Sequence, residues 1–124
     1  MNLAMRKKVL FIDDDEIWRK RVSASFGQAD YETLTAANAT EALALAEQRP
    51  LGLIVLDINL DGEDGLMLLK FLRRNHPDVP ILLFSAMQHD EASIRSMLEM
   101  GADQYLPKAS IEELIVTVSS YLSR

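Results

Sequence analysis

The chain has 124 residues, 48% hydrophobic and 26% charged, which supports one globular domain with a real core. It has no cysteine, excluding disulfides, thiolate metal sites and cysteine nucleophiles, and its net charge of −6 opposes nucleic-acid binding, since Arg6-Lys7-Lys8, Arg19-Lys20-Arg21 and Arg73-Arg74 are too few to reverse it. No apolar run approaches the ~20 residues of a bilayer span, and Met1 to Lys8 lacks a signal-peptide core, so the sequence predicts a cytoplasmic protein with no membrane partner.

Short apolar runs alternate with helix-period segments, without linker or repeat, which points to successive βαβ units. The spacing predicts strand 1 at Lys8–Ile12 and helix 1 at Glu16–Gln28, with Trp18, Val22, Ser25 and Phe26 on its inner face. Strand 2 falls around Glu32–Ala36. Asn38 and Glu41 form a capping-box pattern for helix 2, which the periodicity carries to Arg49, before Pro50. Strand 3 is Leu53–Leu56, and helix 3 opens near Asp64-Gly65 and ends by Asn75. Strand 4 is Ile81–Phe84. Helix 4 covers Asp90–Met100, with Ile94, Met97 and Leu98 at helical spacing and Gly101 as its stop. Strand 5 is Gln104–Leu106. A second capping box, Ser110 with Glu113, opens helix 5, whose stripe is Ile111, Leu114, Ile115, Val118 and Leu122.

Strands 1 and 3 to 5 are too continuously apolar to keep a wet face, so helices cover both sides of the sheet. With right-handed crossovers the expected fold is α/β, a three-layer α/β/α sandwich around a five-stranded parallel sheet of order 2-1-3-4-5.

Four of these strands end on polar residues of the kinds that phosphoryl chemistry uses. Strand 1 runs into Asp13-Asp14-Asp15, strand 3 stops at Asp57, strand 4 at Ser85 and strand 5 at Lys108. Ligands of open parallel sheets bind in the crevice outside the carboxyl ends of the strands, so these residues should meet in one pocket. Carboxylates, a hydroxyl and an ammonium together suit a divalent metal and a phosphoryl group. Singly, each residue has a plainer reading. Asp14 or Asp15 could cap helix 1, Ser85 could be a satisfied core hydroxyl, and Lys108 a solvated ammonium. Their joint placement at one end of successive strands outweighs those readings.

Asp13-Asp14, Asp57, Ser85 and Lys108 at this spacing resemble the receiver domain of bacterial two-component response regulators, of the chemotaxis-regulator type and flavodoxin-like in fold. The resemblance covers the whole chain, 1–124, as one receiver domain. It extends to the stretches from Leu56 to Gly65 and from Gly101 to Lys108. It implies that Asp57 is the nucleophile accepting a phosphoryl group from a sensor histidine kinase or histidine phosphotransfer protein. Mutual repulsion of Asp13, Asp14 and Asp57 calls for a hard cation, and Mg²⁺ suits the site. By resemblance Asp14 and Asp57 bind it directly, Asp13 directly or through water, and Asn59 through its backbone carbonyl. Lys108 and the metal neutralise the phosphoryl oxygens, Ser85 hydrogen-bonds one of them, and small Ala86 leaves room. The resemblance further implies a switch in which Ser85 and Tyr105 act on the helix 4–strand 5–helix 5 face, a face that would also serve self-association. The chain would catalyse only its own phosphorylation and dephosphorylation.

Two positions depart from the family pattern. Asp61 and Ala109 stand where the family often has proline, and Lys108–Ala109 is expected to be trans because a cis bond to a non-proline costs ~3 kcal/mol. Rival motifs fare worse. Asp57, Asn59, Asp61 and Gly62 match the opening of an EF-hand loop, but Leu68 stands where its bidentate Glu belongs and a strand precedes it. A haloacid-dehalogenase-type phosphatase would need a second Asp at Asn59. A phosphorylation-independent binding module on the same fold is the main competitor. His76 and His89 sit in loops without spaced ligand partners, and Trp18 reads as helix packing or docking surface.

Overall fold

Strands and helices alternate along the chain as β1 (Lys8–Ile12), α1 (Glu16–Gln28), β2 (Glu32–Ala36), α2 (Ala39–Ala46), β3 (Leu53–Leu56), α3 (Gly65–Asn75), β4 (Ile81–Ser85), α4 (Glu91–Glu99), β5 (Gln104–Pro107) and α5 (Ile111–Leu122). This computed structural model describes residues 7–123; Arg6 of the first basic cluster and the terminal Arg124 lie outside them. The strands form one parallel sheet of order β2-β1-β3-β4-β5, as expected.

Successive strand side chains point to opposite faces, and the sheet therefore feeds two cores. Leu10, Ile12, Ile54, Leu56, Ile81 and Leu83 pack with Ala42, Leu69, Leu72 and Met97 from α2, α3 and α4. Val9, Phe11, Leu53, Val55, Leu82 and Phe84 pack with Val22, Phe26, Leu114 and Val118 from α1 and α5. The helices are stopped and started by specific caps. Asp15, Asn38, Asp64, Asp90 and Ser110 each accept a backbone N–H from the first turn of the helix they precede.

Several local expectations need correction. Helix α2 ends at Ala46 rather than Arg49. Glu47 and Gln48 donate to the carbonyls three residues back, which tightens the last turn, and Pro50 disfavours helical backbone at Arg49. Strand β5 is only partly covered, because it is an edge strand with β4 on one side alone. The capping boxes are also incomplete. Glu41 returns to the N–H of Ala37 rather than to that of the cap, and Ser110 donates to Glu112.

Gly65 is the most tightly approached glycine among the described residues. A Cβ there would collide with the Ile58 carbonyl oxygen and lie 2.5 Å from the Ile58 Cα, both backbone atoms that cannot rotate away. Helix α3 thus begins directly against the chain that has just left Asp57. We expect Gly65→Ala to destabilise the fold by about 1–3 kcal/mol, as overpacking does, with a lower urea midpoint as the measurement.

Candidate functional site

The backbone ladder continues one residue past the strand ends and fixes the origin of each site side chain. The N–H of Asp13 donates to Ala36 O at 3.0 Å, that of Asp57 to Ile12 O at 2.9 Å, and that of Lys108 to Ser85 O at 2.8 Å. Asp13, Asp57 and Ser85 are buried, whereas Asp14 faces solvent.

The centre of the site is an ammonium between two carboxylates. Lys108 Nζ lies 2.9 Å from Asp57 Oδ2 and 2.6 Å from Asp13 Oδ2, with only 5% of its side chain exposed. Lys108 is therefore no solvated surface group. Asp57 Oδ1 accepts the Asn59 N–H at 2.9 Å, and Asp13 Oδ1 accepts the Asp15 N–H at 2.9 Å. Asp15 is the residue that caps α1, which leaves Asp14 free to face the site. Its Oδ2 accepts the N–H of Asp61 at 3.0 Å, so Asp61 serves the site through its backbone.

Electrostatics follow from this burial. Loss of solvation raises the Asp13 carboxyl above the usual carboxylate range, against the opposing pull of Lys108 and of the Asp15 N–H. Burial pulls the Lys108 ammonium down, but its bonds to Asp13 and Asp57 outweigh this and leave it raised.

Oxygen atoms of Asp13, Asp14 and Asp57 all lie within 4.8 Å of one another. Three carboxylates face one ammonium, leaving two negative charges to balance. Asp13 Oδ2 is buried and has no well-aligned hydrogen-bond donor, and its compensation is the ammonium alone. An all-oxygen donor set with a spare lone pair and one solvent-facing carboxylate fits a hard divalent cation. Neither histidine belongs to a metal-competent group among the described residues. His76 is buried at the C-terminus of α3, and His89 sits edge-on to Tyr105 at 5.7 Å.

A chain of bonds leads away from the carboxylates. Asn59 Nδ2 donates to Ser85 Oγ at 2.9 Å, the Met87 N–H donates to the same oxygen at 3.2 Å, and the Tyr105 hydroxyl donates to Met87 O at 2.8 Å. Beside it, Ser85, Ala86, Met87, Tyr105 and Lys108 help to line a cavity of about 360 Å³. The Lys108–Ala109 peptide is trans, the one cis bond among the described residues being Arg49–Pro50.

Sequence reasoning missed three supports: the Asn59 side chain, the Asp61 N–H, and Arg19, whose Nη1 donates to Asp13 O at 2.9 Å. The strand order could have suggested the first, since β3 and β4 are neighbours, Asn59 follows the end of β3 and Ser85 is the last residue of β4. The other two are loop and helix contacts with no periodic signal.

A doubly wound α/β domain with a buried lysine and an acidic, oxygen-only cluster at its strand ends is thus defined. Residues 9–119 match the family model described as the response regulator receiver domain, and the chain belongs to that family. It is 34% identical over 121 residues to the phosphate regulon transcriptional regulatory protein PhoB of Pseudomonas aeruginosa, covering 95% of this chain and 52% of that protein. The chain spans about half or less of the curated relatives it matches, down to 21% for the NtrX-like putative response regulator of Rickettsia conorii. Among solved structures, the Francisella response regulator 1452 receiver domain superposes with a TM-score of 0.86 at 32% identity, covering 96% of this chain and 98% of that one. A response regulator protein from Burkholderia pseudomallei, solved with a phosphorylated aspartic acid, a calcium ion and citrate, gives a TM-score of 0.83 at 30% identity, covering 94% of this chain and 69% of that one.

Proposed function

We propose that this receiver domain accepts a phosphoryl group on Asp57 from the phosphohistidine of a sensor kinase or phosphotransfer protein. The observation that carries the reading is the buried Asp13–Lys108–Asp57 bridge beside a further carboxylate. Receiver domains are in general signalling modules rather than enzymes, and the proposed chemistry is confined to this chain's own acyl phosphate. Asp57 attacks phosphorus, the donor's P–N bond breaks, and the Lys108 ammonium turns to the oxygen that gains charge. Ser85 Oγ sits one bond from Asn59 and can hydrogen-bond a phosphoryl oxygen. Asp13, Asp14, Asp57 and the Asn59 carbonyl would hold Mg²⁺, which when bound supplies positive charge to the phosphoryl oxygens. Incubation with Mg²⁺ and acetyl phosphate, followed by intact mass, tests the reading. One added phosphoryl group supports it, and no addition under any condition favours the phosphorylation-independent module.

The metal site makes its own prediction. Mg²⁺ at about ten times its dissociation constant should stabilise the protein by about 1.4 kcal/mol through linkage. Asp14→Ala should flatten that response most clearly, because it removes the solvent-facing ligand without disturbing the buried bridge. Melting temperature against Mg²⁺ concentration measures it.

Output would run through the Ser85–Met87–Tyr105 bonds to the α4–β5–α5 face, and self-association would use the same face. Ser85→Ala should still be labelled, yet its amide shifts near Tyr105 on adding beryllofluoride should fall well below those of the wild type. Equal shifts would remove Ser85 from the relay. We read residues 1–124 as one receiver unit acting in the cytoplasm, without membrane or nucleic-acid contact of its own. No helix among the described residues is long and apolar enough to cross a membrane.

A further inference from the structure

The ammonium of Lys108 has a third neighbour besides its two carboxylates. Its Nζ lies 5.2 Å from the centroid of the Trp18 ring, within the range of a cation–π contact. Trp18 is the one tryptophan of the chain and sits in the first turn of α1, the helix that Asp15 caps immediately after the acidic pair. Its ring is held edge-on by Phe84 at 5.3 Å and 83°, and Phe84 is buried and directly precedes Ser85. The Arg21 guanidinium, one turn further along α1, also lies over the ring at 4.7 Å. The indole thus meets the core at Phe84 and two cations, Arg21 and Lys108, over its ring.

We propose that Trp18 is a positioning residue for Lys108, an aromatic platform that holds the ammonium in the site without competing for its hydrogen bonds. The inference rests on the phosphoacceptor reading above. To serve a phosphoryl group the ammonium must leave the Asp57 oxygen for a phosphoryl oxygen. A third carboxylate would oppose that move by offering another directional bond. A ring face attracts the cation through its quadrupole, with little angular preference, and keeps water from the fourth side. The ammonium can therefore swing between acceptors while staying desolvated.

The test compares Trp18→Leu and Trp18→Phe with the wild type, each checked for folding by its melting curve. Labelling by acetyl phosphate with saturating Mg²⁺ should slow about three- to tenfold in Trp18→Leu and recover most of its rate in Trp18→Phe, the range expected of a partly desolvated cation–π contact. A leucine fills much of the space and a phenylalanine restores a ring face, so the pattern separates the quadrupole from packing. The Lys108 Cε protons give a second readout independent of phosphorylation. Their ring-current shift should vanish in Trp18→Leu and persist in part in Trp18→Phe. Equal labelling rates in Trp18→Leu and wild type, or leucine and phenylalanine variants slowed alike, would overturn the platform. A wild-type protein that takes no label would instead refute the phosphoacceptor reading, while the Cε shifts would still judge the Trp18–Lys108 contact.

Discussion

Asp57→Asn should abolish labelling by acetyl phosphate, on the order of 10³-fold or more, as removal of a nucleophile does. The fold should survive with a stability change within about 1 kcal/mol. The amide is nearly isosteric, and its oxygen can still accept the Asn59 N–H that Oδ1 accepts now. Two electrostatic effects oppose each other. The substitution loses the 2.9 Å ion pair with Lys108, yet it also removes one of three crowded carboxylates, while Lys108 keeps Asp13 at 2.6 Å. Intact mass reads the labelling and urea denaturation the stability. Undiminished labelling of this variant would mean that another residue is the acceptor, with Asp13 the remaining buried carboxylate among the described residues.

The fold was legible because the strands are short, continuously apolar and regularly spaced. Twelve residues of β1, β3 and β4 between Val9 and Phe84 alternate between two cores, such as Leu10 and Phe11 or Ile54 and Val55, and leave little choice but a sheet covered on both faces. The helix N-termini were legible for the same local reason, each announced by an Asp, Asn or Ser. Helix α2 was overextended because its periodicity outlasts its hydrogen bonds, and the backbone constraint before Pro50 wins. The site is legible as a set of residues, since topology alone brings the ends of β1, β3, β4 and β5 together. What the sequence did not carry is the pairing inside that set. Nothing in the spacing says that Lys108 bridges Asp13 and Asp57, that Asn59 turns its amide to Ser85, or that Trp18 lies beside the ammonium, because these depend on rotamers and loop paths rather than on period.

Lys108→Met should cost stability at neutral pH, by about 3 kcal/mol, because it leaves two buried carboxylates without their counter-charge. Methionine replaces most of the stem, so the loss is chiefly electrostatic, and its pH dependence has a definite sign. Burial already raises Asp13 above its ordinary value of 3.8, and without the ammonium it rises further. An acid raised in the folded state penalises folding when ionised, and the penalty is relieved as pH falls through the folded value toward the unfolded one. The deficit of Lys108→Met should therefore shrink steadily from pH 7 toward pH 4. At the alkaline end the wild type loses its advantage instead. Lys108 is raised above 10.5, so its contribution is full below that pH and fades as pH climbs through the folded value. Urea midpoints at several pH values measure both limbs, and a deficit independent of pH would assign the loss to packing of the lysine stem. Mg²⁺ should stabilise the variant more than the wild type, since a divalent cation is then the one positive charge left among Asp13, Asp14 and Asp57. Labelling should nevertheless fall about 10²-fold even at saturating Mg²⁺, as when one preorganised donor to developing oxygen charge is removed.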